Sequence, residues 1–136
     1  MDSYGQIVSV LSRIMLSLDA QDREVFSDCW SEDVSLSVIF FDGKEMKYSC
    51  RADLISGLTG SWEGSASQLR HQLGAVDVTL TGEADAEANY YCFYMTVGST
   101  MQLAGMGQYW DQLTKGQDDK WRVARRKHVF LTPLVY

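Results

Sequence analysis

From Gln68 onward the chain is committed to extended structure. Four long stretches, about 68–80, 86–97, 100–113 and 121–131, alternate their side chains, with short turn signals at Gly82 to Asp85, Gly98-Ser99 and Lys115 to Asp119. Strands joined this tightly pair as antiparallel hairpins, because a parallel return needs a crossover of about a dozen residues. In the second stretch both alternating sets are apolar or aromatic: Ala88, Tyr90, Cys92 and Tyr94 on one side, Tyr91, Phe93, Met95 and Val97 on the other. A sheet with two covered faces has helices on one and another subunit on the other, which implies a homodimer.

The residues ahead of this run read as helix. Ile7, Leu11, Ile14, Met15 and Leu18 recur at helical spacing over about residues 3 to 19. A shorter helix follows, with Asp22 as its cap, Glu24 in its first turn, and Val25, Phe26, Cys29 and Trp30 on one face. Val34 to Phe40 alternates like a strand, Asp42-Gly43 suits a two-residue hairpin turn, and Met46 to Cys50 is the returning strand. Arg51 to Leu58 suits a third helix, and Thr59 to Ser67 is a loop. Helices first and hairpin-linked strands after make an α+β fold, with the helices packed on one face of a curved antiparallel sheet. No linker or repeat interrupts residues 1–136, so the expectation is a single domain.

Charge and composition narrow the function. A net charge of −6 disfavours nucleic acid and anionic membrane surfaces. Met1 to Gln6 carry neither the basic start nor the apolar run of a signal peptide, so a cytoplasmic protein is expected. Cys29, Cys50 and Cys92 are odd in number and unpaired in spacing, which fits reduced thiols. With only His71 and His128 beside them, no metal site is expected. No glycine-rich phosphate loop, nucleophile elbow or zinc spacing is present, so no cofactor is expected either.

Several pieces in order then carry a resemblance. Leu18-Asp19-Ala20-Gln21-Asp22, Cys29 to Val34, Leu69-Arg70-His71, Gly107 to Leu113 and Trp121 to Arg126 resemble the SnoaL-like branch of the NTF2-like superfamily over nearly the whole chain. The resemblance implies a cone in which N-terminal helices close a strongly curved, mostly antiparallel sheet around an apolar pocket. It also implies relatives that include polyketide cyclases, scytalone dehydratase and ketosteroid isomerase, alongside ring-hydroxylating dioxygenase β subunits without catalysis of their own. Fold alone therefore does not name the reaction.

Asp19 and His71 match the aspartate and histidine of the dehydratase-like members. A carboxylate accepting one ring N–H fixes the imidazole tautomer and leaves the other nitrogen free to move a proton near neutral pH. Asp19 also sits at the carboxyl end of the first helix, where the dipole disfavours a negative charge by a few tenths of a kcal/mol, so a partner elsewhere is expected. If His71 points inward, Leu69 and Leu73 do too while the strand is regular. The same pattern places Tyr90, Tyr94 and Tyr109 inside, where a phenol could steady developing oxyanion charge.

The chain departs from scytalone dehydratase where Leu18 and Val38 replace its two carbonyl-orienting tyrosines and Tyr90 replaces its second pocket histidine. Trp30, Trp110 and Met101 are candidates for the pocket mouth, and core packing is the stronger expectation for Trp30. His128, in a basic run, reads as surface or rim, and Arg125 reaches the cavity only if it shares the inward face of Trp121 and Val123. Gly105 and Gly107, two apart on one strand face, suggest a bend.

Two functions follow from different classes. One is a cofactor-independent isomerase, cyclase or dehydratase acting on a hydrophobic polycyclic or aromatic carbonyl compound of secondary metabolism. In that reading Asp19 and His71 are catalytic, and Tyr90, Tyr94, Tyr109, Leu18, Val38 and Trp30 bind substrate. The other is a non-catalytic ligand-binding or assembly subunit using the same cavity. An Asp19–His71 contact facing an open cavity favours the first, and a filled cone with His71 capped by backbone favours the second.

Overall fold

The structure is a computed structural model, and it describes residues 2–62 and 68–134. Three helices, α1 (Ser3–Ala20), α2 (Arg23–Asp28) and α3 (Arg51–Thr59), accompany six strands. The strands are β1 (Trp30–Ile39), β2 (Glu45–Tyr48), β3 (Leu69–Leu80), β4 (Asp85–Val97), β5 (Met101–Lys115) and β6 (Trp121–Phe130). They form one curved sheet in the order β2-β1-β6-β5-β4-β3. Only β1 and β6 run parallel among these neighbours. The part of the expected loop at 63–67 lies outside the described residues.

α1 starts where the Asp2 side chain accepts the Gly5 N–H at 2.8 Å and ends at Gln21, in the left-handed region with φ 56°. Its apolar stripe of Ile7, Val10, Leu11, Ile14 and Met15 is buried against the inner face of the sheet. Asp22 caps α2 through the Val25 N–H, and Phe26 is its buried residue.

The helical face expected to run from Val25 through Trp30 is not formed. Val25 is exposed and Trp30 opens β1, because the Cys29 carbonyl accepts the Val123 N–H at 2.9 Å and draws the chain into register with β6. The first strand therefore begins four residues earlier than Val34 and ends at Ile39. The turn after it is also longer than the expected two residues. Phe40 N–H donates to the Lys44 carbonyl, closing a loop of Phe41, Asp42 and Gly43, with Gly43 at φ 88°. That is a three-residue hairpin turn whose last position needs the left-handed conformation glycine adopts freely.

Extra residues bend the long strands. Between Leu73 and Val76 on β3, at Ala104 on β5 and at Ala124 on β6, one strand carries one residue more than its neighbour. Such bulges increase twist, and they exchange the inward and outward faces beyond the insertion. On β4, which carries no insertion, Ala86, Ala88, Tyr90, Cys92 and Tyr94 all point inward and are buried, while Tyr91 and Val97 are exposed on the outer face.

Candidate active site

Asp19 occupies the last turn of α1 and His71 the start of β3. The helix places the carboxylate where its own dipole opposes the charge, and β3 supplies the compensation. The His71 backbone N–H donates to both carboxylate oxygens, at 3.2 and 3.0 Å, and Nδ1 of the ring lies 2.6 Å from Oδ1. An ionised carboxylate only accepts, so Nδ1 is the donor in this pair, and in the neutral imidazole Nε2 presents the lone pair. The two side chains are 11% and 14% exposed, mostly buried yet reachable from the surface.

They open on a cleft of about 690 Å³ lined also by Leu18, Leu58, Trp62, Leu69, Gln68 and Thr96. Gln68 and Thr96 bring polar groups to this wall, a contribution that alternation alone does not signal. Wider grooves of about 950 and 1320 Å³ lie around α2 and α3. Arginines and acids of mixed sign line them without an acid–base pair comparable to Asp19 and His71, so the smaller cleft is the candidate site.

Behind the cleft the cone is filled. The Tyr94 ring meets the His71 ring edge-on at 5.4 Å, and its hydroxyl reaches Nε2 of His128 at 2.6 Å and the Tyr109 hydroxyl at 3.0 Å. His128 lies flat on Tyr109, with ring centroids 4.0 Å apart, and against Phe130 at 4.5 Å. Burial first, then the Arg126 cation and His71, push the His128 imidazole down to about 3, so it is neutral at ordinary pH. Burial likewise pushes the phenols of Tyr90, Tyr94 and Tyr109 above their usual range.

His128 is therefore an interior residue and not a surface or rim one. The extra residue at Ala124 explains it: Trp121 and Val123 point inward, and after the bulge the inward set becomes Arg126, His128 and Phe130. Arg125 faces outward for the same reason and does not reach the cavity.

That phase change also buries an ion pair. Arg126 Nε donates to Asp111 Oδ1 at 2.8 Å and Nη2 to Oδ2 at 2.9 Å, while the Tyr90 hydroxyl donates to the same Oδ2 at 2.6 Å. Burial opposes the arginine charge, but the Asp111 carboxylate beside it more than offsets this and holds the guanidinium protonated. Its plane sits 4.8 Å from both the Trp30 and the Tyr109 ring centroids. The available signal for this pair was Asp111, an acid on the inward set of β5 between Tyr109 and Leu113.

The structure thus brings Asp19, His71 and Leu18 together at one cleft, with Tyr94 against them. Tyr90 and Tyr109 are buried, and their hydroxyls are engaged with Asp111 and Tyr94. Trp30 and Val38 are buried in the core and do not line the cleft. Trp110 is on the outer face and Met101 is exposed at the β4–β5 turn, so neither forms the mouth. Gly105 and Gly107 make room rather than the bend itself, which falls at Ala104. A Cβ at Gly107 would overlap the Tyr94 hydroxyl, and one at Gly105 would press on Thr132. Among the described residues no group of three His, Cys, Asp or Glu could hold a metal ion, and no helix is long and apolar enough to cross a membrane.

Comparisons with known proteins match this architecture. The sequence profile of the SnoaL-like domain matches residues 1–127. No curated protein matches the sequence. Among solved structures, an NTF2-like protein with a cystatin-like fold from Novosphingobium aromaticivorans has a TM-score of 0.79 at 22% identity, covering 94% of this chain and 81% of its own. ActVI-ORFA from Streptomyces coelicolor has a TM-score of 0.77 at 18% identity, covering 94% and 96%. A protein from Catenulispora acidiphila in complex with S-DNPA gives 0.77 at 19% identity, covering 93% and 92%. At these identities the likeness is one of fold.

Proposed function

The chain belongs to the SnoaL-like domain family, and on that premise we propose that it is a cofactor-independent acid–base enzyme acting on a hydrophobic aromatic or polycyclic carbonyl compound. The observation that carries the reading is the 2.6 Å contact between Asp19 Oδ1 and His71 Nδ1 beside an open cleft. With Nδ1–H held by the carboxylate, Nε2 removes a proton from the carbon next to the carbonyl. The C–H electron pair moves onto the carbonyl oxygen as an enolate, and the imidazolium later returns the proton. Isomerisation, cyclisation and elimination all begin with this step, and the apolar lining of Leu18, Leu58, Trp62 and Leu69 suits such a substrate. Gln68 and Thr96, with Gln21 and Ser61, are cleft residues that carry donors suited to the enolate oxygen, whereas the Tyr90 proton is already committed to Asp111.

We further propose a cytoplasmic protein of one domain, and a homodimer because the helices cover the inner face of the sheet and leave Tyr91 and Trp110 half exposed outside. One observation favours a second function, a subunit that binds a ligand or partner without turnover. The cone behind the cleft is filled by Tyr94, Tyr109, His128 and Arg126, which leaves the open space at the rim.

Proton exchange separates the two. In D2O, with 1-tetralone as probe, the wild type is expected to speed exchange of the proton next to the carbonyl, and His71→Asn to lose about 10² to 10⁴ of that rate while still binding the ketone. Undiminished exchange in His71→Asn would reject His71 as the base. Binding without any exchange by the wild type would favour the second function.

A further inference from the structure

Cross-strand pairing lays out the inner face of β3 and β4 in rows, with Leu69 opposite Thr96, His71 opposite Tyr94 and Leu73 opposite Cys92. Leu69, Thr96 and His71 line the cleft, whereas Tyr94 is 2% exposed and Cys92 is fully buried. The open space therefore ends at the row of His71 and Tyr94, whose rings meet edge-on at 5.4 Å. Tyr94 is pinned in that place. Its hydroxyl lies 2.6 Å from Nε2 of His128 and 3.0 Å from the Tyr109 hydroxyl, and its ring packs on Phe130 at 5.5 Å. It reaches from β4 to β6 by crossing Gly107 of β5, where a Cβ would overlap the hydroxyl. Swinging the ring aside would leave buried hydrogen-bonding groups unpaired.

We propose that Tyr94 sets the depth of the cleft and thereby selects carbonyl compounds whose reacting carbon stands at a free end of the molecule. The inference rests on the cleft reading above and narrows its substrate class. Because His71 belongs to the innermost row, the C–H that meets its ring must lead the ligand in, and the remaining rings must trail outward along Leu18, Leu58, Trp62 and Leu69. A second ring beyond the reacting carbon would be driven into Tyr94, and a clash of this kind discriminates between ligands that share every favourable contact. 1-Tetralone obeys the rule, since its exchanging carbon lies on the edge opposite the benzo ring. 3-Phenyl-1-tetralone breaks it, because the added ring projects from that same edge. At a site open on the inner side the larger ketone would bind more tightly, having more apolar surface to bury. Weaker binding of the larger ketone is therefore the signature of a wall.

Titration calorimetry with the two ketones tests this, with circular dichroism to verify folding. The wild type is expected to bind 1-tetralone about tenfold or more tighter than 3-phenyl-1-tetralone. Tyr94→Ala opens space beside Tyr109, His128 and Phe130 that can take up an aromatic ring, and it should erase or reverse the preference. Tyr94→Phe keeps the ring and should keep the preference. Tyr94→Leu carries the same test if the alanine variant does not fold, and the wild-type comparison stands without either. A wild type that binds the phenyl derivative as tightly as 1-tetralone, or binds neither ketone, would overturn the proposal, and so would a folded Tyr94→Ala with the wild-type preference. Binding reads the wall and proton exchange reads the base, so a wild type that shows the preference without exchanging 1-tetralone would sink the catalytic reading and leave the depth of the cleft as proposed.

Discussion

The Tyr94 hydroxyl lies 2.6 Å from Nε2 of His128, in a notch that exists because residue 107 has no side chain. His128 is held neutral there, so its lone pair remains available to the phenol. This contact closes the inner side of the cleft in which His71 sits.

Gly107→Ala is expected to destabilise the protein by about 1–3 kcal/mol, the usual cost of overpacking, because the new methyl must displace the phenol. Adding Tyr94→Phe should recover part of the loss, since the overlapping atom is removed. Urea titration of the two single variants and the double variant measures the coupling. Strict additivity would mean that the two positions do not meet.

Asp111→Ala should cost about 3–5 kcal/mol, because it strands the Arg126 cation in the core. Replacing both partners, as Asp111→Leu with Arg126→Met, should cost much less than the single change. Equal losses would show that the cation finds another partner or water.

Asp19→Asn keeps an oxygen for the His71 backbone N–H but gives up the carboxylate that fixes the ring. In the exchange assay kcat is expected to fall by about 10² to 10⁴ with little change in KM. A fall in affinity at constant kcat would instead make Asp19 a ligand-binding group.

His128 makes stability depend on pH. It is held at about 3 in the folded protein, whereas an unfolded imidazole titrates near 6.5. Between these values the unfolded chain holds a proton that the folded one lacks, so stability rises with pH across the window and falls on acidification. The limiting slope is about 1.4 kcal/mol per pH unit. Urea melts between about pH 6.5 and 5, above most carboxylate titration, should show a weaker acid loss in His128→Gln than in the wild type. Matching slopes would mean that folded His128 takes up its proton as readily as the unfolded residue.

Much of this molecule was legible in the sequence because its signals are periodic. The two-residue alternation and the turn dipeptides placed β3 to β6 within two residues at their ends, and helical spacing placed α1. Asp19 and His71 were legible as a pair through the family pattern, and the unfavourable seat of Asp19 at a helix end called for a partner without naming it. The bulges were not legible, since Ala124 looks like any small strand residue and only the partner strand reveals it as extra. Regular alternation across it would set Arg125 inward in place of Arg126, and the basic run around His128 argued for the surface although the ring faces inward. The Asp111–Arg126 pair was hidden for a related reason: charged residues are placed outside by default, and only contact reveals that two of them neutralise each other within.

Ala124 also works as a parity bit for the last strand. Pairing that one residue into a regular ladder with β5 would leave the sequence untouched, yet would send Arg126 and His128 out to solvent and drive Arg125 and Lys127 against Asp111 and Tyr109. Deleting Ala124 would instead join Val123 and Arg125 as consecutive ladder residues and keep the same side chains inside, so what fixes the interior of β6 is that this residue is unpaired and not merely that it is there.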